Sequence, residues 1–240
     1  MQNQVPSQAL FIRRSEDRGH ADHGWLEARH SFSFADYYDP DHMSYRALRV
    51  INEDTIAPGK GFGTHPHKSM EIFTFIKEGS LRHEDSMGNG REIQAGEFQY
   101  MSAGSGVLHS EVNPSASTET KLLQIWLTPA QPGGEPRYQD FQVSTLDRQD
   151  GLALLASPDG REGSIAIRQN AEVLHGSLRS AQAITLPVIT GRPYTWLQLI
   201  KGELTLGDES LAAGDAAAID HTALAFTAKS DAEFLLFRLS

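Results

Sequence analysis

Histidine is the residue type in this sequence whose spacing most clearly suggests chemistry. Two of the ten histidines, His65 and His67, stand two positions apart in the run GFGTHPHKSMEI, and Glu71 follows four residues later. On a β-strand such neighbours point to the same face, so the two imidazoles would project together. Pro66 between them lacks a backbone donor, which suits an edge strand or a barrel mouth. Chance would produce this three-residue pattern only about 0.03 times in such a chain.

A second pair follows in the run MSAGSGVLHSEVN, where His109 and Glu111 are again two positions apart. The sequence thus predicts two short strands, each after a glycine-rich turn and each carrying two metal-competent side chains on one face. Three neutral imidazoles and one carboxylate suit a divalent Fe, Ni, Cu, Mn or Zn ion. Four such ligands would leave a six-coordinate metal two open positions, and the role of Glu71 stays open.

The elements that must position these residues are predicted to be strands. Twenty-one glycines and 11 prolines punctuate the chain at short intervals. The runs between them are mostly four to eight residues long and rich in β-branched and aromatic residues, which favours an all-β barrel or sandwich. The clearest predicted strands are Ala47–Ile51, Met70–Lys77, Glu97–Met101, Lys121–Leu127, Ser164–Ile167, Tyr194–Ile200, Glu203–Leu206 and Glu233–Leu239.

A weak internal repeat predicts two β-domains in tandem. The stretch FIKEGSL with IQAGEFQYMSAG resembles LIKGELTL with LAAGDAAAID, and both read as strand, glycine turn and strand. The proline- and glycine-rich segment 128–136 lies between the copies and is the predicted linker. We therefore predict domains at 1–130 and 131–240. The second copy has no His, Asp or Glu in Leu186–Arg192, where the histidine pair should recur, so it is predicted to bind no metal.

The composition limits the kinds of partner and site that this protein is expected to have. The formal net charge is −10 and the longest basic run is Arg13-Arg14, which argues against direct nucleic-acid binding. The absence of cysteine removes thiolate metal sites and cysteine nucleophiles. The first ten residues lack the pattern of a signal peptide, and the apolar runs are too short to span a bilayer. We therefore expect a cytoplasmic protein without a membrane or nucleic-acid partner.

These motifs resemble those of a known family. The H-x-H-x₃-E and H-x-E-x-N elements resemble the two motifs of cupins, and GFGTHPHKSMEI and MSAGSGVLHSE are similar to the pirin branch. The segments Asp22–Pro40 and Ala47–Gly59 are similar to that branch too. The resemblance implies a bicupin of two jelly-roll barrels, with His65, His67, His109 and Glu111 as ligands of one metal ion, most simply Fe(II), with Ni, Mn, Cu, Zn or Co as alternatives.

The resemblance also implies an activity. Bacterial pirin-like bicupins act as quercetin 2,3-dioxygenases, which open the heterocyclic ring of a flavonol with O₂ and release carbon monoxide. Glu111 would then be the base that removes the substrate's 3-hydroxyl proton. The alternatives are a metal- or redox-responsive regulator that acts through protein partners, as in nuclear relatives, or another cupin reaction such as isomerisation. Either a monomer or a homodimer is compatible with the sequence.

Overall fold

The structure is a computed structural model that describes residues 10–240. It is built almost entirely of short strands, as the glycine and proline spacing predicts, and each of the eight predicted strands overlaps an observed one. The two 3₁₀ turns of the described chain span Val143–Thr145 and Arg161–Gly163. In chain order the strands are β1 (Leu10–Arg13), β2 (Gly19–Asp22), β3 (Leu26–His30), β4 (Leu48–Ile56), β5 (Gly61–His67), β6 (Glu71–Glu78), β7 (Ser80–Asp85), β8 (Gly90–Gln94), β9 (Glu97–Ser102), β10 (Val107–Val112), β11 (Thr120–Leu127), β12 (Arg137–Gln142), β13 (Leu152–Ser157), β14 (Ile165–Ala166), β15 (Ala171–Leu178), β16 (Ala183–Leu186), β17 (Tyr194–Lys201), β18 (Glu203–Leu206), β19 (Glu209–Ala212), β20 (Ala216–Asp220), β21 (Leu224–Ala228) and β22 (Ala232–Leu239).

The described residues form two compact units whose boundary differs from the predicted one. Residues 19–145 form the first unit, and residues 146–240 together with 10–18 form the second. The proline- and glycine-rich segment 128–136 lies inside the first unit, because β12 beyond it pairs with β9 of that unit. The division at 145/146 therefore replaces the one near 130. Strand β1 pairs with β20 and so belongs to the second unit, which no local sequence signal indicates.

The two units share the arrangement of all but their edge strands in the larger sheet. In the first, a seven-stranded sheet runs β12-β9-β6-β11-β4-β3-β2 and a four-stranded sheet runs β5-β10-β7-β8. In the second, the orders are β1-β20-β17-β22-β15-β13-β14 and β16-β21-β18-β19, and the inner strands correspond in order. The edge strands differ, since β14 runs parallel to its neighbour where β2 runs antiparallel, and β1 precedes its unit in the chain where β12 ends the other. The predicted repeat therefore extends to the inner strands of both sheets. Its strand–glycine–strand element contains Gly79 in one copy and Gly202 in the other, with φ values of +76° and +83°.

Each unit has its own apolar core between its two sheets. In the first unit, residues of β3, β4, β6 and β11 pack against residues of β7 and β8. The buried members of this cluster are Leu26, Ala28, Ile56, Ile76, Leu81, Ile93 and Leu122. The second unit has a larger cluster, in which Leu197, Leu236 and Phe234 are completely buried. Within the described chain, we find no helix with the length and apolar character that a membrane crossing requires.

Strands β5 and β10 pair in an antiparallel register, and their backbones pack so closely that glycine substitutions can test this register. Gly61 pairs with Val112, and a Cβ atom at Gly61 would overlap the Glu111 carbonyl oxygen. A Cβ atom at Gly63, on the same strand, would meet open space. We expect Gly61→Ala to lower the free energy of unfolding by about 1–3 kcal/mol and Gly63→Ala to change it by less than about 0.5 kcal/mol. Urea denaturation measures both, and equal midpoint shifts would contradict the register.

Candidate metal centre

The sequence-predicted histidines lie on two neighbouring strands. β5 is the edge strand of the four-stranded sheet and pairs with β10 in an antiparallel register that places His109 opposite His65 and Val107 opposite His67. The edge position accommodates Pro66, which has no N–H for a ladder, as the sequence predicts. Because alternate side chains of a strand share a face, this register brings the histidines of both strands to one place.

The three imidazoles His65, His67 and His109 converge. The ring centroids are 4.8 Å apart for His65 and His67, 4.5 Å for His65 and His109, and 4.8 Å for His67 and His109. One ring nitrogen of each lies within 4.8 Å of the others, and the Nε2 atoms of His65 and His109 are 3.0 Å apart. His65 Nδ1 donates to the Gly63 carbonyl at 2.8 Å, which leaves its Nε2 lone pair for a ligand. The donor set fits a divalent transition metal ion.

Burial keeps two of these imidazoles neutral. Burial, together with the charges of the neighbouring histidines, lowers the pKa of His67 to about 4 and the pKa of His109 to about 3. At neutral pH both side chains therefore carry a lone pair, which is the form that binds metal ions.

These shifts predict how the metal-free protein responds to pH. A histidine that is neutral when folded takes up a proton on unfolding below about pH 6.5, so the free energy of unfolding falls as pH falls. The buried His109 should contribute about 1.4 kcal/mol per pH unit to the slope of the free energy of unfolding against pH, between about pH 4 and 6. We expect wild type to show this extra slope relative to His109→Gln in chemical denaturation of the metal-free proteins. Identical slopes would contradict the shift, since loss of His109 also removes one cause of the lowered pKa of His67 and so can only reduce the slope of the variant.

Glu111 lies beside the three-histidine group rather than within it. Its carboxylate belongs to a second group of three potential ligands, with His83 and His109, and its side chain is buried. Gln124 donates to Oε2 at 2.7 Å and Gln99 donates to Oε1 at 3.1 Å. Of the four predicted ligands, the structure thus brings together the three histidines and places Glu111 in a neighbouring group that shares His109 with them.

Glu71, whose role the sequence leaves open, is occupied elsewhere. Its buried carboxylate accepts hydrogen bonds from the Tyr100 hydroxyl at 2.5 Å and the Ser102 hydroxyl at 2.6 Å. Ser102 pairs directly with Glu71 across β6 and β9. Glu71 is in neither group of potential metal ligands found among residues 10–240. These contacts give Glu71 a structural role in joining the two strands.

Sequence reasoning missed three polar side chains buried close to Glu111 and His109. His83 and Asp85 lie on β7, which pairs with β10 and places His83 opposite Glu111. Asp54 lies on β4, and burial raises its pKa to about 7, with the charges of Glu111 and Glu53 acting in the same direction. The available signal was an acidic residue at one of the alternating, inward positions of a strand, as at Asp54 in LRVINEDTI.

Two cavities of the first unit adjoin the histidines. One, of about 470 Å³, is lined by His67 itself together with Pro66, Lys68, Ser86, Gly106, Val107 and Leu108. The other, of about 530 Å³, has the aromatic side chains Trp25, Phe34, Tyr37 and Phe62 in its wall. The Phe62 ring lies 5.3 Å from Trp25 and 6.4 Å from His65, between centroids. Both volumes lie in the range of small-molecule sites.

The family follows from comparison with known proteins. Residues 12–127 match the pirin family, and residues 154–239 match the quercetinase C-terminal cupin domain. A protein of Escherichia coli K12 named quercetin 2,3-dioxygenase is 45% identical over 231 residues, which cover 96% of this chain and 98% of that protein. The chain belongs to the pirin family. It is an all-β bicupin, as the motifs predict.

Two further relatives are similar to this chain, one in sequence and one in both sequence and structure. A pirin-like protein of Caulobacter vibrioides is 40% identical over 230 residues, which cover 95% of this chain and 98% of that protein. The crystal structure of the bacterial pirin YhhW from E. coli in complex with nickel(II) is 43% identical, with a TM-score of 0.91. That match covers 96% of this chain and 98% of the solved chain. A member of the family with this fold therefore binds nickel.

The second cupin of this pirin has apolar residues where the first has its histidines. If the repeats are matched at Gly79 and Gly202, and then strand by strand, the cross-strand pair His65 and His109 corresponds to the pair Leu186 and Leu224. Both leucines belong to the apolar core of the second unit. Both groups of three or more potential metal ligands found among residues 10–240 lie in the first unit. That the second cupin binds no metal stays a prediction.

Proposed function

We propose that this pirin is a metal-dependent dioxygenase that opens the heterocyclic ring of flavonols such as quercetin. The observation that carries the proposal is the convergence of His65, His67 and His109 beside a buried carboxylate, next to cavities of small-molecule size. The 45% identity to a protein named quercetin 2,3-dioxygenase supports the substrate class. We propose Fe(II) as the native ion, with Ni, Mn, Cu, Zn or Co as alternatives.

The ligand set in the proposal is His65, His67 and His109, with Glu111 as the fourth group. A bound divalent ion would supply Lewis acidity toward the enolic oxygen of the substrate and a template for O₂. The fixed tautomer of His65 and the lowered pKa values of His67 and His109 present neutral imidazoles to that ion. The apolar and aromatic cavity walls would bind the flat rings of the flavonol and exclude water.

Glu111 is the proposed base for the 3-hydroxyl proton. Its carboxylate is buried beside His109 and accepts hydrogen bonds from the side-chain amides of Gln99 and Gln124. The Thr74 hydroxyl is 3.3 Å from Oε1 and 3.1 Å from Gln124 Oε1, so these groups hold one another in place. Oε2 accepts one hydrogen bond, from Gln124, so it keeps a lone pair for a substrate proton or for the metal ion.

The test is turnover by metal-reconstituted protein. Purified apoprotein is loaded with Fe(II), Ni(II), Mn(II) or Cu(II), and the loss of quercetin absorbance is followed together with the release of carbon monoxide. We expect at least one ion to support turnover well above that of His65→Ala treated in the same way. If no ion raises turnover above this control, the proposed activity is wrong. We also propose that the protein acts in the cytoplasm, as a monomer or homodimer without a nucleic-acid partner, in keeping with its acidity.

A further inference from the structure

We propose that the first cupin holds a second, inner metal position, formed by His83, His109 and Glu111. One ligand atom of each lies within 4.8 Å of the others, and all three side chains are buried. This inner group shares His109 with the outer group of His65, His67 and His109. Two imidazoles and one carboxylate form a donor set used by non-haem iron sites. The inference concerns metal binding and does not depend on the proposed reaction.

The contacts of Asp85 show which nitrogen of His83 is available. Asp85 accepts hydrogen bonds from the backbone N–H groups of Met87 at 2.9 Å and Asn89 at 3.1 Å, and from the Asn89 side-chain amide at 2.8 Å. A carboxylate held by three donors acts as an acceptor, so His83 Nε2, 3.0 Å away, must donate to it. The His83 proton is therefore on Nε2, and its Nδ1 atom carries a lone pair.

That lone pair is buried without a donor. His83 is 0% exposed, and its Nδ1 atom has no hydrogen-bond partner in the described part of the chain. The ring is held on both sides, stacked on Tyr138 at 4.8 Å and packed against His109 at 5.4 Å, between centroids. An unsatisfied buried acceptor costs about 1–3 kcal/mol, which a bound metal ion would offset.

The arrangement matches the way in which proteins prepare a metal-binding histidine. Such a histidine donates its second N–H to a carboxylate, which fixes the tautomer and aims the other nitrogen at the ion. The Asp85 contact gives His83 this support. Glu111 is compatible with the role, because its two oxygens offer about four lone-pair sites and the hydrogen bonds from Gln99 and Gln124 use only part of them.

The test removes the outer group and asks whether metal binding persists. Co(II) is the probe, and its stoichiometry is measured by equilibrium dialysis and its ligand field by visible absorption. We expect His65→Ala/His67→Ala to retain about one equivalent of Co(II), and the same variant with added His83→Ala to lose it. Addition of His221→Asn in place of His83→Ala is the matched control and should leave binding unchanged. His221 is exposed in the second unit, at a φ of +53° that asparagine tolerates.

Two results would overturn the inner position. One is a double variant that keeps its fold by circular dichroism but binds no Co(II). The other is an added His83→Ala that changes neither the stoichiometry nor the spectrum. If His83→Ala does not fold, Asp85→Asn in the double-variant background replaces it. We then expect Co(II) affinity to fall about 10–100-fold, and an unchanged affinity would refute the proposal. Because no readout is turnover, failure here is distinct from failure of the dioxygenase activity.

Discussion

Replacement of His109 by alanine is expected to abolish both metal binding and quercetin turnover. His109 is the one side chain that belongs to both groups of potential ligands, and its Nε2 atom lies 3.0 Å from that of His65. Loss of a partner that merely orients a ligand already costs about 10–100-fold in metal affinity. Loss of the ligand itself should cost more than about 100-fold, and turnover should fall to the level of metal-free protein.

The measurements are a metal-competition titration and the quercetin assay at saturating metal. His221→Asn is the control, since it alters a histidine of the second unit that the metal centre does not use. A stability measurement accompanies both variants, because deletion of a buried imidazole leaves a cavity. If folded His109→Ala binds metal with an affinity within tenfold of wild type, His109 is not a ligand and the proposed centre is wrong.

Replacement of Glu111 by glutamine is expected to separate catalysis from metal binding. The three histidines remain, so saturating metal should still occupy the centre, although the loss of Glu111 as the fourth group lowers the metal affinity. The amide cannot accept the 3-hydroxyl proton, so kcat should fall about 10²–10⁴-fold.

Glu71→Gln is the matched control for Glu111→Gln. Both residues are buried glutamates of the same unit, but the Glu71 carboxylate is bonded to Tyr100 and Ser102 and belongs to neither group of potential ligands. We expect Glu71→Gln to lower stability and to leave kcat within a few-fold of wild type. If Glu111→Gln lowers kcat less than tenfold with metal bound, the base is another group. If it releases the metal, Glu111 acts as a ligand before it acts as a base.

Much of the fold was predictable because its signals are local. Short runs such as Glu203–Leu206 between glycine turns have the composition and length of strands, and the structure has a strand at those residues. The histidine pair and Pro66 predicted an edge strand with two side chains on one face, and β5 is such a strand. The similarity around Gly79 and Gly202 predicted a repeat, and the matching sheet orders extend it to both units.

The parts that were not predictable depend on pairing between distant strands. The place of β1 in the second unit is set by its ladder to β20, about two hundred residues later in the chain. The place of His83 is set by the register of β7 on β10, which puts it opposite Glu111. A one-residue slip in either ladder would turn the side chains to the other face, and no local pattern fixes these registers.

Anomalous diffraction at the absorption edge of the loaded metal, in crystals of reconstituted protein, tests most directly whether the three histidines bind the ion. We expect a strong peak among His65, His67 and His109, about 2.0–2.2 Å from one nitrogen of each ring. For His65 that nitrogen should be Nε2, because Nδ1 donates a hydrogen bond to the Gly63 carbonyl. Metal-loaded crystals with no anomalous peak within coordination distance of these three rings would show that they are not the metal centre.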